Sequence, residues 1–473
     1  MNQRFPRLTL IERLEVAVLN TIPSLARGVA TTRPGTVRVF DRLQVDRRMV
    51  ALLDRLRQRY RGSPVWMDSP RGPALLLLSP RHVERVLGGS DRLYTLDTRA
   101  KRRAFGIFEP HAVVISRGEV RARRRAFNES ILDSRSDQPR TAEHDARVVS
   151  QEIASLVSGP GRDGILHWPE IQRAFGCVSR RVVFGDAARD DVDTTQLLRR
   201  LLREANTFGL KPGGRQRAAR WKAEWERRLE RYAASAPADS LIGRLADTSG
   251  SADIDPYGQV AHWCLSLDMV AVVAARALAL LASHPEHFSR ANEELIAADA
   301  HHDPGSAASV AAQPYLEACV LEAARLWPLV PNLVRSTTRA VEWDGVMVKS
   351  NTTLVISALH QARSRHLGRR GARFIPEQWL DGSLDNDWTM LPFSAGPAAC
   401  PGEMLATFLA TAACAEVLRR SYVRTASPAL APDMPLPYSL PAASINLAVG
   451  VKPNIAAPSP MAVAGGSSSG ETL

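Results

Sequence analysis

Along this chain apolar residues recur mainly three and four positions apart, and two apart only in short stretches. Residues 46–61, DRRMVALLDRLRQRYR, alternate arginine with apolar positions at i, i+3 and i+4, which predicts an amphipathic helix. SPVWMD (63–68) and PALLLLS (73–79) predict a short strand pair, and SPRHVERVLGG a helix capped by Ser79 and stopped by Gly88-Gly89. Residues 191–233 are an Arg/Glu-rich helical region broken by LKPGGR, and 248–256 a loop. Residues 259–283, QVAHWCLSLDMVAVVAARALALLAS, are apolar nearly all round, which predicts a buried central helix. Asp268 and Arg276 interrupt it and leave only Met269–Ala275 as a clean apolar run, so it is read as core and not as a transmembrane segment. Another amphipathic helix, EHFSRANEELIAAD, follows. Residues 333–358 then change to strand composition, with Asp344-Gly345 as a hairpin signal and Asn351 as a second turn.

At the N-terminus Leu10, Leu14, Val18 and Ile22 recur at helical spacing, which predicts an amphipathic arm packed on the body; a membrane surface is the rival partner for that stripe. Charges at Arg4, Arg7, Glu12, Arg13 and Glu15 deny this segment the apolar core of a signal peptide. Residues 456–473 are Pro/Ser/Gly-rich and read as a flexible tail. The pattern is mainly α with small β-sheets. No linker divides it, so the expected organisation is an arm (1–45), a single large domain (46–455) and the tail.

Composition narrows the partners. The 61 Lys+Arg against 49 Asp+Glu leave a net charge of +12, which favours acidic partners or an anionic cofactor. Nucleic acid is set aside, because aromatic content is 6% and no finger, homeodomain or stacking motif occurs. The five cysteines, at 177, 264, 319, 400 and 414, are too scattered for a CxxC, zinc or iron–sulfur site and fit a reducing compartment.

One of them has a special setting. In FSAGPAACPGEML (393–405) Cys400 stands just before a predicted helix. Unpaired N–H groups and the positive end of the helix dipole there stabilise a thiolate, which serves as nucleophile or metal ligand. A nucleophile wants a partner base, and no histidine occurs in residues 367–473. Gly396 and Gly402 around the sulfur suit the approach of a flat ligand such as heme. Upstream, LEACVLEAARLWP puts Glu322 and Arg325 at i and i+3, where they can pair. RFIPEQWL (373–380) adds a Pro-containing loop with two aromatics.

A helix with Glu-x-x-Arg, a small sheet, a Pro/aromatic loop and then Phe-x-x-Gly-x-x-x-Cys-x-Gly before a helix resemble, in that order, the heme-thiolate monooxygenase family, cytochrome P-450. The resemblance covers roughly residues 46–455 and is strongest over 259–420. It implies the cytochrome P-450 fold around a buried heme b, with Cys400 as axial thiolate ligand to the iron and Phe393 packed near the sulfur. It further implies that Gly396 and Gly402 admit the porphyrin, and that Glu322 and Arg325 lock their helix to the loop around Gln378. Arg335 matches the strand arginine that binds a heme propionate; Arg121 and Arg124 are candidates for a second propionate contact.

Three positions depart from the family pattern. Ala398 stands where Arg or His usually binds a propionate. Gln378 replaces an arginine of the Glu/Arg network. On the distal helix the aligned positions read Ala271, Val273 and Ala274 instead of a small residue, an acid and threonine, and Asp268 is the nearest acid. Three functional readings follow: a soluble, bacterial-type cytoplasmic monooxygenase fed by a ferredoxin or flavodoxin plus reductase and acting on a small apolar substrate; a peroxide-using or rearranging heme-thiolate enzyme; and a catalytically degenerate heme-binding partner protein. A basic face including Lys101, Arg102, Arg103, Arg121 and Arg123–Arg125 is the expected docking surface for the acidic redox partner.

Overall fold

The computed structural model describes residues 4–69, 72–159, 164–245 and 253–452. Helices dominate. The predicted amphipathic helix spans Val45–Arg59, and the Arg/Glu-rich region forms two helices, Val192–Ala205 and Gly214–Ala233, parted at the Lys-Pro-Gly-Gly sequence. The apolar stretch forms one long helix, Pro256–Leu281, here called the central helix. It packs against Trp168–Phe184, against Pro314–Leu326 (the anchor helix) and against Glu403–Arg420 (the cysteine helix). One large apolar cluster runs through these helices.

A five-stranded sheet covers one flank, in the order Val65–Ser69, Gly72–Leu77, Thr353–Ser357, Asn332–Thr337, Tyr94–Thr95. Its first two strands are the predicted pair, joined antiparallel with Val65 opposite Leu76. A separate hairpin pairs Val341–Trp343 with Val346–Val348. Its turn holds Asp344 at φ 49° and Gly345 at φ 77°, the left-handed pair that a tight two-residue hairpin needs. A three-stranded sheet joins Ile165–His167, Asn446–Val451 and Ser421–Ser427. The predicted tail and positions 248–252 of the predicted loop lie outside the described residues.

The arm corrects one expectation. Its helical run begins at Leu10, but the apolar stripe faces outward: Leu10 is 78% exposed, Leu14 64%, Val18 50% and Ile22 55%. The inward face carries Glu12, Val16 and Asn20. Glu12 accepts from the Thr9 backbone N–H at 2.8 Å and from the Tyr60 hydroxyl at 2.7 Å. Asn20 Oδ1 accepts from Asn332 at 2.7 Å. Buried polar atoms that must be satisfied chose the face, against the apolar spacing.

Candidate functional site

The anchor helix and the loop after it meet on one carboxylate. Arg325 donates to Glu322 through Nε at 2.6 Å and Nη2 at 2.5 Å, with both side chains fully buried. Glu322 also accepts from the Ile375 backbone N–H (3.0 Å), Gln378 Nε2 (2.8 Å) and Trp379 Nε1 (2.9 Å). Arg325 spends its remaining donors on the carbonyls of Ala362 (2.9 Å) and Arg373 (3.1 Å). A buried ion pair is tolerable only when its spare lone pairs and protons are satisfied, and here they are. The neutral Gln378 enters this network as a donor.

The Phe393–Cys400 loop closes on itself, with the Cys400 N–H donating to the Phe393 carbonyl at 2.9 Å and the Ala399 N–H to that of Gly396 at 2.9 Å. Gly396 has φ 68°, and a Cβ on it would fall 2.0 Å from the Leu87 carbonyl oxygen, so only glycine fits. Gly402 differs. The nearest atom to a Cβ there is Leu132 Cδ1 at 3.8 Å, so no protein atom demands its smallness. Arg125 donates to the Ala399 carbonyl and Ser134 to that of Pro401, tying the loop to the helix Gly118–Ile131 and the turn beyond it. Burial pushes the half-exposed Cys400 thiol up, while the Gly402 N–H and the Arg125 charge pull the other way. A metal cation at the sulfur is the term that would secure the thiolate.

Beside the loop lies a cluster of buried cations. Arg335, 3% exposed, donates through Nη2 to Ser394 Oγ at 3.1 Å and through Nη1 to the Val334 carbonyl at 3.3 Å. Lys101 Nζ donates to that same carbonyl at 3.3 Å. Among the described residues neither cation has a carboxylate partner in an ion pair, and Arg121 close by has only Asp91. Burial first, then the Arg121 charge, lowers Arg335 to about 10; burial and Arg335 lower Lys101 to about 7. Two buried arginines and a half-buried lysine, with Asp91 pairing Arg121 and Asp97 acting on Lys101 without an ion pair, fit an anionic group such as the two propionates of heme.

Two expectations change here. Arg124 donates to Ser116 Oγ (2.7 Å) and the Asp253 carbonyl (2.7 Å), away from Arg335; Arg125, one residue on, reaches the cysteine loop instead. Lys101, Arg121 and Arg124 are also too enclosed to form a docking face, since internal acceptors hold all three. Lys101 is a site residue that the sequence reading placed on the surface. Its α-helical partner spacing gave no clue, because the contact with Val334 spans 233 positions.

The central helix has two faces. Cys264, Leu267, Ala271, Ala274 and Leu278 are buried in core packing. The Cys414 thiol donates to the Ala274 carbonyl at 3.7 Å, fourteen residues along from Cys400, or about 21 Å at ~1.5 Å per helical residue. The opposite face, His262, Leu265, Ser266, Met269, Val272 and Arg276, is only half-buried although its helix lies at the centre of the body. Half-open side chains on a helix packed by its neighbours into the middle of the body border an open cleft. Ala271 and Ala274 are therefore core residues, and the cleft-facing positions are Ser266 and Met269. The sequence alignment missed by helical phase, because a helix apolar all round offers no moment to set it. Asp268 stands at the edge of the cleft face. Burial raises its carboxyl despite Arg199 at 3.5 Å.

Comparison with known proteins agrees with this geometry. Residues 267–437 match the family model of cytochrome P450. The chain is 37% identical to cytochrome P450 736A117 of Prunus mume over 110 residues, 22% of this chain and 21% of the relative. It is 27% identical to methyltetrahydroprotoberberine 14-monooxygenase of Papaver somniferum over 191 residues, 38% and 36% of the two chains. With geraniol 8-hydroxylase of Swertia mussotii it shares 28% over 192 residues, 38% and 39% of the two chains. These matches span about a fifth to two-fifths of the relatives' length. The family implies heme with iron and an axial cysteine thiolate, and the loop, the smallness of Gly402 and the unpaired cations are compatible with that group. The segment that holds the Glu322–Arg325 anchor and the glycine-flanked Cys400 is thus the part of the chain that matches the cytochrome P450 family.

Proposed function

We propose that the protein is a monooxygenase that inserts one oxygen atom of dioxygen into a small apolar substrate, with electrons from a ferredoxin or flavodoxin and its reductase. The observation that carries this reading is the half-open face of the central helix, His262 to Arg276, set in the same body as a cysteine loop flanked by buried, unpaired cations. Heme iron, bound by Cys400, supplies the oxygen chemistry.

The chain's own residues hold and tune that group. Arg335, Lys101 and Arg121 would hold the propionates, and Lys101 would stand in for the basic side chain missing at Ala398. Phe393, whose carbonyl accepts from the Cys400 N–H, would pack near the sulfur, and the Gly402 N–H and the Arg125 charge favour the thiolate form against burial and Glu403. Leu265, Met269 and Val272 present an apolar wall to substrate. Ser266 and Asp268 are the polar groups on or beside that wall from which a proton can be handed on, directly or through water. The arm 1–45 and the domain 46–455 remain our division of the chain. Cytoplasmic placement belongs to the same reading, and fractionation of the cells that make the protein tests it.

Dithionite-reduced protein exposed to carbon monoxide should show a red-shifted, thiolate-type Soret band, absent in Cys400→Ala. An unshifted band in the wild type would overturn the ligand assignment. A peroxide-using enzyme is the second reading, favoured by Met269, a side chain with no exchangeable proton, on the cleft face. NADPH consumption that depends on substrate and surrogate redox partners supports the first reading. Product from peroxide alone supports the second, and turnover with neither marks a degenerate heme-binding partner.

A further inference from the structure

The cleft face of the central helix begins with a histidine that the reaction above does not use. His262 lies one turn before Ser266 and two turns before Met269. Its Nδ1 is 3.0 Å from Glu109 Oε2, and the Glu109 side chain is 1% exposed. Phe105 stacks on the imidazole, centroids 5.7 Å apart at 26°. The ring is thus held on one edge and one face, while 34% of the side chain stays open. Nε2 has no hydrogen-bond partner among the described residues.

A histidine of this fold can be closed at both nitrogens. His82 is the internal example: Nδ1 meets Ser79 Oγ at 2.7 Å and Nε2 meets Asp344 at 3.2 Å. His262 leaves one nitrogen without a partner among the described residues, on a side chain that lies on the half-open face of its helix. Burial first raises the Glu109 carboxyl, and the Glu109 charge raises the imidazole against burial, so both shifts favour a net-neutral pair, in which Nε2 carries a proton whichever partner holds the shared one. The other charges bearing on Glu109 are Asp255 and Arg124.

Resting on the monooxygenase reading, we infer that His262, positioned by Glu109, is a specificity-determining residue that donates from Nε2–H to a neutral carbonyl oxygen at the far end of the substrate. Glu109 already balances the imidazolium charge. A second carboxylate, from an acidic substrate, would therefore enter a low-dielectric cleft with no free cation at this point to compensate it. A carbonyl needs only a donor, and a charge-assisted one is stronger than a neutral one.

The test uses N-alkylimidazoles whose ring ligates heme iron and whose tail, about 6 to 12 carbons, brackets the roughly 10 Å of two helical turns. Each length is made with a methyl, a methyl-ketone and a carboxylate end, and dissociation constants are read from the Soret shift of the holoprotein. At one length the ketone should bind about tenfold more tightly than the methyl-ended probe, as one charge-assisted hydrogen bond supplies. His262→Phe should erase that preference and leave the methyl-ended probe within about twofold, a control for folding. Glu109→Gln should reduce the preference, by lowering the charge on the ring. No ketone preference at any length in the wild type overturns the inference without need of a variant. So does a preference that survives His262→Phe, or a carboxylate that outbinds the ketone. Absence of any Soret shift with imidazole itself would instead sink the heme reading beneath it.

Discussion

The N-terminal arm and the central helix carry apolar residues at the same helical spacing and bury them oppositely. The arm turns Leu10, Leu14 and Val18 to solvent and keeps Glu12 and Asn20 inside. The central helix buries Ala271 and Ala274 and opens the face with His262, Ser266 and Met269 to a cleft. Spacing tells which residues share a face. What that face looks at is decided by polar atoms with few places to be satisfied, and by what the neighbours leave empty.

The contrast can be tested by substitution. Ala274→Asp puts a carboxylate into the sealed side of the central helix beside Cys414 and should prevent recovery of folded hemoprotein; soluble protein with an unchanged carbon monoxide spectrum would mean that face is not core. Glu12→Ala removes the acceptor shared by Thr9 and Tyr60 and should cost about 1–3 kcal/mol in denaturant unfolding. Burial works to raise the Glu12 carboxyl, but the hydrogen bonds from Tyr60 and Thr9 and the Arg59 charge leave it below its ordinary 4.5. Its stabilisation is therefore complete above pH 4.5 and is lost as pH falls through the lowered value, so Glu12→Gln should flatten the acid limb of the stability curve. Met269→Thr, on the open face, should keep stability within about 1 kcal/mol and raise the fraction of electrons that reach product. Unchanged coupling would show that Ser266 or Asp268 already suffices. Leu14→Ser, on the exposed stripe of the arm, should shift stability by less than about 0.5 kcal/mol; a larger loss would show that something covers that stripe.

Legibility followed locality. Cys400, Gly396, Glu322 and Arg325 are readable because their chemistry is written within a few positions, and the Asp344-Gly345 turn because its backbone demands those residues. The phase of the central helix was not readable, since neither face is polar enough to declare itself. Nothing in the sequence near Lys101 shows that it and Arg335 share the Val334 carbonyl. In the run of arginines 121–125, spacing alone could not say that Arg125 and not Arg124 turns toward the cysteine loop.

The Glu322 network also bears on how the protein is made. Arg325 lies three residues away, but the N–H groups of Ile375, Gln378 and Trp379 arrive 53, 56 and 57 positions later. A chain emerging from the ribosome has the ion pair in hand long before the donors that saturate it. Until residue 379 is out, the anchor helix holds a carboxylate that must stay in water, so it cannot be sealed into the core. The site that receives the cofactor is thus closed to completion until nearly the last fifth of the chain is synthesised. Cofactor capture belongs to the end of synthesis, and a chain cut short before that loop should emerge without heme.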